Sequence, residues 1–361
     1  MRFLIDAHHL GLRQTGNETW CRSVVARLGS ELTDHELHFA VTRAGVPELR
    51  RFTDAPCHVV STNPVRRLGI DLPYAIARLR PDAVLGQYTI VPSPAGSVVA
   101  IHDLSPLDPR ACDWLSARFR LRFRASVGLS TRLASFVLAP SQFTRRQILE
   151  KLSCSPDRVR VASISIDSEL AALLDSGPTV EPVVPTVLSV GNVVPRKNLI
   201  TVARAVRRLQ LKGMPVRYRV AGQVSPRWSS VEQQLRRTLP DIEITGYVTP
   251  QRLAQLYLSS SVLAFPSLFE GYGLPLVEAM RASLPVICSS STSLPEIAAD
   301  ACMVIRPLDV HAWEAAIESV LLDPDTRQRL SDRGRTRALT FDWRETARTV
   351  AASLVAAGTL R

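Results

Sequence analysis

Short apolar runs alternate with amphipathic stretches along nearly all of this 361-residue chain, and this alternation constrains the fold more than any other feature. The first series of predicted strands comprises Arg2–Asp6, Leu37–Val41, His58–Ser61, Ala83–Gly86, Ser97–His102 and Phe136–Pro140. The second comprises Thr186–Gly191, Val216–Gly222, Ile242–Tyr247, Ser261–Pro266, Pro285–Ser289 and Cys302–Ile305. Helical patterns lie between them, among them Glu18–Leu28, Leu199–Leu211, Val231–Leu239, Pro250–Ser259 and Ala312–Leu322. This order predicts α/β sheets of parallel strands with helices on both faces.

The length of the chain and one irregular segment predict two domains. At roughly 150 residues per domain, a chain of this length exceeds one ordinary core. The segment DSELAALLDSGPTVEPVVP, Asp167 to Pro185, contains prolines and a glycine that should interrupt any regular element. We therefore expect a Rossmann-like domain over residues 1–170, a linker over 171–185 and a second Rossmann-like domain over 186–342. Both would be doubly wound and face each other across a cleft, and the final helix, residues 343–361, could pack on either.

Composition favours a globular protein of the cytosol. Apolar residues make up 46% of the chain and charged residues 21%. No run approaches the roughly 18 apolar residues that span a bilayer, and the N-terminal MRFLIDAHHL lacks the apolar core of a signal peptide. The six cysteines form no CxxC pair, which argues against a structural zinc site and against a disulfide scaffold.

The net charge of +11 is carried almost wholly by arginine, since lysine occurs only at positions 151, 197 and 212. A basic protein can bind nucleic acid, an anionic membrane surface or anionic substrates. Composition leaves all three open. The sequence contains no nucleic-acid-binding motif, and the absence of GxGxxG counts against a dinucleotide oxidoreductase.

The stretch FPSLFEGYGLPLVEAM, Phe265 to Met280, joins a predicted strand to a predicted helix. Ligands of open α/β sheets bind beyond the carboxyl ends of the strands. Gly271 and Gly273 let the backbone approach a ligand, and a helix beginning near Leu274 would point its amides at a phosphate. Carboxylates on both sides, Glu270 and Glu278, would accept hydrogen bonds from sugar hydroxyls. The stretch therefore predicts a nucleotide-sugar site, and the alternative is a helix whose first turn simply favours acids.

Two cations follow the first strand of the second series. Arg196 and Lys197 would neutralise a departing nucleoside diphosphate, which removes the need for a metal ion. The alternative is a basic helix N-terminus without a ligand, which the helix dipole disfavours.

Three motifs together resemble a known family. EGYGLPLVE is similar to the E-x7-E signature of retaining glycosyltransferases with the GT-B fold, family 4 (group 1). VGNVVPRKNL, residues 190–199, resembles that family's second donor motif, and IHDLSPLDP, residues 101–109, its N-terminal catalytic loop. The PRKN version looks most like bacterial mannosyl- and rhamnosyltransferases of surface polysaccharide synthesis.

The resemblance implies a hexosyltransferase, with GDP-mannose the favoured donor and a glycan, lipid-linked through a polyprenyl carrier, the acceptor. It implies no cofactor and no obligate metal. The residues implied in catalysis are His102, Glu270, Arg196 and Lys197. The residues implied in donor binding are Gly16, Val248, Gly271, Tyr272, Gly273, Leu274 and Glu278.

Individual roles and departures follow from the same resemblance. Glu270 would contact the transferred sugar, Glu278 the ribose, and His102 the sugar and the acceptor hydroxyl. Gly16 would face the diphosphate from a loop poorer in glycine than the family's, and the backbone of Val248 would contact the base. Asn192 stands where many relatives carry an arginine, so that role is not transferred. Judged by position alone, His102 could also be a structural histidine.

The run RFRLRFR, Arg118 to Arg124, favours a helix with arginines beside aromatic side chains. Such a helix, within residues 114–129, fits an anionic membrane surface and equally a solvated face of an ordinary helix. A cytoplasmic protein peripheral to the inner face of the membrane is the corresponding expectation.

Two interpretations are alternatives to glycosyl transfer, and a third concerns a sequence that imitates a metal-nucleotide motif. A nucleotide-sugar epimerase of similar fold would need additional acid and base groups that the sequence does not identify. A non-enzymatic membrane- or nucleic-acid-binding protein would explain the charge but not the two carboxylates around a glycine turn. The D-x-D at Asp323 and Asp325 is expected to be structural, with Asp325 as a helix N-cap.

Overall fold

The computed structural model of the protein describes residues 1–12, 15–112 and 115–360. The chain divides into two compact units. The first comprises Met1–Leu107, Trp114–Ile164 and Asp342–Arg361, and the second comprises Asp108–Asp113 and Ser165–Phe341. The first unit is therefore completed by the last twenty or so residues of the chain.

The described part of the first unit contains a sheet of seven parallel strands in the order β3-β2-β1-β4-β5-β6-β7. The strands are β1 (Arg2–Asp6), β2 (Glu36–Thr42), β3 (Cys57–Val60), β4 (Ala83–Gln87), β5 (Gly96–Ala100), β6 (Phe136–Ala139) and β7 (Val159–Val161). Buried Val, Leu, Ile and Phe side chains fill the central strands, as expected for a sheet covered on both faces.

Helices of the early chain connect these strands. They are α1 (Thr15–Glu31), α2 (Val46–Leu49), α3 (Pro64–Arg66), α4 (Leu72–Leu79), α5 (Pro109–Cys112), α6 (Ala117–Leu133) and α7 (Gln142–Leu152). A π-helical turn, Arg67–Asp71, lies between α3 and α4. The short helix α5 belongs by its contacts to the second unit.

The second unit contains a parallel sheet of six strands, within the described residues, in the order β10-β9-β8-β11-β12-β13. The strands are β8 (Thr186–Val190), β9 (Arg217–Ala221), β10 (Glu243–Ile244), β11 (Val262–Phe265), β12 (Val286–Ser289) and β13 (Met303–Ile305). The prediction of two doubly wound α/β units is confirmed.

Helices α8 to α15 surround the second sheet, and α16 returns to the first unit. They are α8 (Ser168–Ser176), α9 (Leu199–Leu211), α10 (Ser229–Thr238), α11 (Pro250–Leu258), α12 (Leu274–Arg281), α13 (Leu294–Ala298), α14 (Val310–Leu322), α15 (Pro324–Ala338) and α16 (Trp343–Thr359). Helix α16 packs on α1, β4 and β5. There Gly96 lies so close that an added Cβ would meet the Ala357 carbonyl oxygen at 2.1 Å.

The expectation that no regular element forms within residues 167–185 is wrong for its first half. Asp167 caps α8 by accepting a hydrogen bond from the Glu169 amide, and Leu170 and Leu174 are buried where α8 packs on α11 and α12. The helix ends at Ser176, ahead of the first proline of the segment. The prolines therefore mark the end of the helix rather than preventing it.

Three smaller expectations also need correction. The predicted strand Ser97–His102 ends at Ala100, so that His102 lies in the loop beyond the sheet. The predicted strand Ile242–Tyr247 is reduced to β10, because Gly246 turns the backbone with φ +72°. The N-cap of α15 is Asp323 and not Asp325, since the Asp323 carboxylate accepts from the Asp325 amide and the Thr326 hydroxyl.

Candidate functional site

The predicted glycine turn lies at the carboxyl end of β11, where it leads into α12. Gly273 is the N-cap of α12 and has φ +105°. A Cβ at this position would meet Leu294 Cδ2 at 2.5 Å, so both backbone strain and lack of space require glycine. Pro275 occupies the first turn of α12, where its missing N–H costs nothing. The glycine turn thus starts α12 only a few residues after Glu270.

One carboxylate oxygen gathers the two predicted cations. Lys197 Nζ donates to Glu270 Oε1 over 2.7 Å, and Arg196 Nη1 donates to the same oxygen over 3.0 Å. Arg196 Nη1 also donates to the carbonyl oxygen of Phe269 over 3.1 Å. The sequence places these groups more than seventy residues apart, and the carboxyl ends of the adjacent strands β8 and β11 bring them together.

The cluster is buried and strongly polarised. Side-chain exposure is 10% for Lys197 and 12% for Glu270, against 30% for Arg196. Burial alone would raise the pKa of Glu270, but the charges of Lys197 and Arg196 outweigh it and lower that pKa to about 2. Burial lowers the pKa of Lys197, and Glu270 opposes this shift. At neutral pH Glu270 is therefore an anion that only accepts hydrogen bonds.

Loops from distant parts of the second unit hold the cluster in place, through residues that sequence reasoning missed. Asn198 adopts φ +52° at the start of α9 and donates through Nδ2 to the carbonyl oxygens of Pro266 and Pro307. Thr292 Oγ1 accepts from the amide of Glu270 over 3.0 Å. Ser293 Oγ donates to the carbonyl oxygen of Glu270 over 3.0 Å. These contacts fix the backbone on both sides of the carboxylate.

Gly191 lies against the ammonium group of this cluster. It has φ +135°, and an added Cβ would lie 3.0 Å from Lys197 Cε and 3.1 Å from its Nζ. The absent side chain thus leaves the room that the Lys197 side chain occupies. The neighbouring residue is Asn192, to which no role was transferred from the sequence resemblance.

Glu278 lies on α12 and is buried. Its Oε2 accepts a hydrogen bond of 2.6 Å from the Tyr257 hydroxyl. Burial raises the pKa of Glu278 to about 7, with a further rise from Asp167, while Tyr257 and Lys197 act in the opposite direction. Within residues 1–12, 15–112 and 115–360, Oε1 of Glu278 makes no hydrogen bond, so one oxygen is left to receive a hydroxyl.

The other predicted donor contacts lie in three places. Gly271, Tyr272 and Leu274 belong to the glycine turn itself and the start of α12, and the first two are buried. Val248 lies half-buried in the loop between β10 and α11, after the positive-φ Gly246. Gly16 is exposed in the first turn of α1, in the first unit, with no atom within 4 Å of an added Cβ. Arg13 and Gln14 of the same predicted loop lie outside the described residues.

His102 lies in the first unit, in the loop after β5. Its Nε2 is 2.9 Å from Gln87 Oε1, and its ring is flanked edge-on by Trp20 and Tyr88 at centroid distances of 5.1 and 5.6 Å. Burial, with a smaller contribution from His9, lowers the pKa of His102 to about 3. The imidazole is therefore neutral at physiological pH and does not act as a cation.

The arginine run forms the exposed part of α6, which the hydroxyl of Ser116 caps. Phe119 and Phe123 stack at 6.4 Å, and Phe119 and Leu121 are exposed. The α6–α7 groove, a surface groove of about 410 Å³, is lined by Leu121, Arg124, Ala125, Gly128, Leu129, Arg132, Lys151, Leu152 and Ser153. Trp114, the first residue of the segment predicted to contact a membrane, lies outside the described residues.

The described residues contain neither a helix suited to span a bilayer nor a cluster suited to bind a metal ion. No helix in ranges 1–12, 15–112 and 115–360 is long and apolar enough to cross a bilayer. In the same part of the chain, no three or more His, Cys, Asp or Glu side chains are grouped so as to hold a metal ion.

Comparison with known proteins gives one family and several relatives. The family described as "Glycosyl transferases group 1" matches residues 181–337. O-antigen chain mannosyltransferase B of Escherichia coli is 30% identical over 262 residues, which are 68% of this chain and 67% of that protein. The serotype-specific mannosyltransferase WbdA of Escherichia coli is 27% identical over 298 residues, 76% of this chain but 36% of that protein.

A solved structure extends the similarity to the whole chain. HepE of Anabaena, in complex with UDP and glucose, aligns over 99% of this chain and 100% of its own with a TM-score of 0.72 and 16% identity. At that identity the alignment shows the fold, which is the two-domain GT-B fold expected from the motifs.

Proposed function

Since the chain belongs to the glycosyl transferases group 1 family, we propose that it transfers mannose from GDP-mannose to a glycan acceptor with retention of anomeric configuration. Two relatives are named as mannosyltransferases, one of them of the O-antigen chain, which supports the sugar and the type of acceptor. The observation that carries the proposal is the convergence of Lys197 and Arg196 on Glu270, beside the N-terminus of α12. That combination suits a sugar joined to a diphosphate.

Departure of the diphosphate is the step that this cluster would assist. As the bond from the sugar to the diphosphate breaks, negative charge accumulates on the phosphate oxygens and positive charge on the sugar ring. Arg196 and Lys197 are already fixed by protein contacts, so they would stabilise the leaving group without reorganising. Glu270, an anion at neutral pH, would accept hydrogen bonds from the hydroxyls of the transferred sugar.

Glu278 would hold the ribose of the donor. Tyr257 occupies one carboxyl oxygen, which leaves Oε1 to accept from a ribose hydroxyl. Because its pKa is about 7, the carboxyl group would be fully ionised only above neutral pH. The ribose contact should therefore strengthen as the pH rises through 7.

Metal-independent transfer is part of the proposal, because the two cations would neutralise the charge that a divalent ion neutralises elsewhere. Activity should survive dialysis against EDTA within about twofold. A loss of activity that Mg²⁺ or Mn²⁺ restores would contradict this part and leave the donor assignment standing.

The donor assignment is tested by thermal stabilisation with GDP-, UDP-, TDP- and ADP-sugars. A ligand that binds only the folded state stabilises it by about 2.7 kcal/mol at one hundred times its Kd, so a true donor raises the Tm. We expect the largest shift with GDP-mannose, and mannosyl transfer should be lost in Glu270→Ala with the fold retained. Stabilisation by UDP-sugars alone, the nucleotide bound by HepE, would replace the proposed donor.

A lipid-linked acceptor and a peripheral position at the inner face of the membrane complete the proposal. Helix α6 carries five arginines and no acidic residue, and Phe119 and Leu121 are exposed among them. Arginines beside exposed apolar side chains favour an anionic bilayer surface. The α6–α7 groove adds Lys151 to this basic surface.

Sedimentation with liposomes of anionic lipid tests this surface. The wild type should co-sediment with anionic liposomes and not with neutral ones. Changing Arg118, Arg120, Arg122 and Arg124 to Gln should abolish co-sedimentation with the anionic liposomes. A matched control removes four exposed arginines from helices of the second unit, Arg204, Arg207, Arg236 and Arg237. Equal loss in both variants would show that net charge alone, and not α6, drives binding.

A further inference from the structure

Gln87 is a buried polar residue that the proposed mechanism does not yet use. It is the last residue of β4 and is 3% exposed. In the parallel register of β4 and β5, Gln87 pairs with Ala100, two residues before His102. The end of one strand thus lies beside the loop that follows its neighbour, which places the Gln87 amide oxygen 2.9 Å from His102 Nε2.

The chemistry of the two groups determines which one donates. An amide oxygen only accepts hydrogen bonds, so His102 Nε2 must carry the hydrogen atom. A neutral imidazole has one N–H, and Nδ1 then keeps a free lone pair. In the described part of the chain, Nδ1 of His102 makes no hydrogen bond. The geometry therefore leaves an acceptor nitrogen with no partner among the described residues.

Nothing next to His102 favours its protonation. The rings of Trp20 and Tyr88 form T-shaped pairs with it, and His9 adds only like charge. Burial lowers the pKa of His102 to about 3, which keeps the ring neutral. For a neutral ring the position of the single hydrogen, and not the charge, decides what the residue can do.

Packing alone does not favour an amide at position 87. The Nε2 atom of Gln87 is buried and makes no hydrogen bond within the described residues. The thiol of Cys21 lies nearby: burial raises its pKa, and the contact with Gln87 lowers it in part. Sulfur offers the Gln87 amide nitrogen only a weak acceptor. A buried amide nitrogen without a partner destabilises the fold, so an apolar side chain of similar size would be the more stable choice.

We infer that Gln87 is a positioning residue, which fixes neutral His102 with hydrogen on Nε2 so that Nδ1 accepts a hydrogen bond from a substrate hydroxyl. The functional part of this inference rests on the proposed glycosyl transfer, whereas the tautomer itself does not. With the opposite tautomer, Nδ1 would carry hydrogen and could not accept from the hydroxyl. A half-turn of the amide would also reverse the preference, so the tautomer of the wild-type protein is the decisive quantity.

The experiment is nitrogen NMR of the full-length protein labelled with ¹⁵N-histidine, at pH 7.5. His102→Asn identifies the resonances by their loss. In the wild type we expect a hydrogen on Nε2 and an unprotonated Nδ1. Gln87→Met, which has similar length but no amide, should give a mixture of the two tautomers. Gln87→Glu retains an acceptor oxygen and should keep hydrogen on Nε2.

Steady-state kinetics then separates positioning from structure. Gln87→Met should lower kcat about tenfold with the KM for the donor nearly unchanged, because Arg196, Lys197 and Glu278, which would hold the nucleotide part of the donor, lie in the second unit. Gln87→Glu should recover much of that loss. Hydrogen on Nδ1 in the wild type would overturn the inference, as would an unchanged tautomer or kcat in Gln87→Met. Should Gln87→Met fail to fold, the wild-type spectrum and Gln87→Glu still decide the tautomer.

The tautomer and the proposed function can fail separately. A wild-type protein with hydrogen on Nε2 but no transfer from any nucleotide-sugar would leave the Gln87–His102 pair intact and refute glycosyl transfer. A protein that transfers the sugar but carries hydrogen on Nδ1 of His102 would support glycosyl transfer and refute the role inferred for Gln87.

Discussion

Glu270 holds two cations with one oxygen atom, and this sharing determines the effect of a substitution. Glu270→Gln removes the anion and leaves Lys197 and Arg196 facing a neutral amide. We expect kcat to fall by about 100-fold or more, the size typical of losing a preorganised electrostatic contact. Affinity for free nucleoside diphosphate should rise, because the diphosphate then supplies the missing negative charge. Initial rates and titration calorimetry measure the two effects.

A carboxylate elsewhere in the second unit provides the control for this variant. Glu243→Gln on the edge strand β10 breaks an exposed pair with Arg219 and should change neither quantity. If diphosphate binding instead weakens in Glu270→Gln, the carboxylate itself contacts the diphosphate through a bridging group. That result would contradict the proposal that Arg196 and Lys197 alone bind the diphosphate.

Glu278 makes stability depend on pH in a defined window. Its pKa is raised by burial to about 7, against an ordinary value of 4.5. The folded state therefore binds the proton more tightly, so the stabilisation is fully present below pH 4.5 and is lost as the pH rises to 7. The loss is on the order of 3 kcal/mol. Denaturant unfolding at pH 5 and pH 8 should show it in the wild type and not in Glu278→Gln.

The shift of Glu270 acts in a different window, which keeps the two carboxylates distinguishable. Its pKa is lowered to about 2, so its stabilisation is present above pH 4.5 and is lost as the pH falls from 4.5 through 2. A pH dependence between 5 and 8 that persists in Glu278→Gln would exclude Glu278 as its source.

At the scale of single elements, the start of α12 depends on glycine. Gly273→Ala adds a Cβ at φ +105° and 2.5 Å from Leu294 Cδ2. We expect the free energy of unfolding to fall by about 1–3 kcal/mol, and donor binding to weaken because the first amides of α12 shift. Denaturant unfolding and donor Kd report the two changes.

Gly16→Ala is the control for Gly273→Ala, because Gly16 lies in the first turn of a helix but has open space around it. No atom lies within 4 Å of the new Cβ, and alanine favours the helix, so stability should be unchanged or rise by up to about 1 kcal/mol. Retained transfer would also remove Gly16 from the predicted donor contacts, whereas a selective loss of transfer would support that contact.

Elements and motifs were predictable to different degrees. The strand–helix alternation predicted both sheets, because fully buried strands must be apolar throughout. Strand β7, Val159–Val161, was missed since three residues at a sheet edge give too short a pattern. Helix α8 was missed since the prolines beyond it dominated the composition of the segment.

The residues of the candidate site that adjoin a sequence motif were predictable. Those whose hydrogen bonds join segments distant in sequence were not. Glu270, Arg196 and Lys197 follow strand ends, and the parallel order of strands brings such loops together. Asn198, which bonds proline carbonyls 68 and 109 residues further along the chain, leaves no local signal. Gln87 resembles any strand-end polar residue until the register of β4 and β5 is known.

At the scale of the whole molecule, α16 is the last segment of the chain and part of the first unit. Leu354 of α16 is fully buried. Leu354→Ala should lower the free energy of unfolding of the first unit by about 2–5 kcal/mol. Nucleotide affinity should be unchanged, because Arg196, Lys197 and Glu270, the charged residues proposed to act on the diphosphate and sugar, lie in the second unit. Urea unfolding and nucleotide titration separate the two.

An exposed leucine near the same end of the chain controls for the substitution itself. Leu360 is 67% exposed, so Leu360→Ala should stay within about 0.5 kcal/mol of the wild type. Weakened nucleotide binding in Leu354→Ala would show that the two units are energetically coupled.

The position of α16 also sets the order in which the protein can mature on the ribosome. Every residue of the second unit is synthesised before α16, so that unit can form its core while the chain is still attached. The first unit waits with β4 and β5 uncovered until translation of α16 has ended. Although it is translated first, the first unit is thus the last to complete its core. Until α16 packs, chaperones would bind the uncovered apolar surface of β4 and β5.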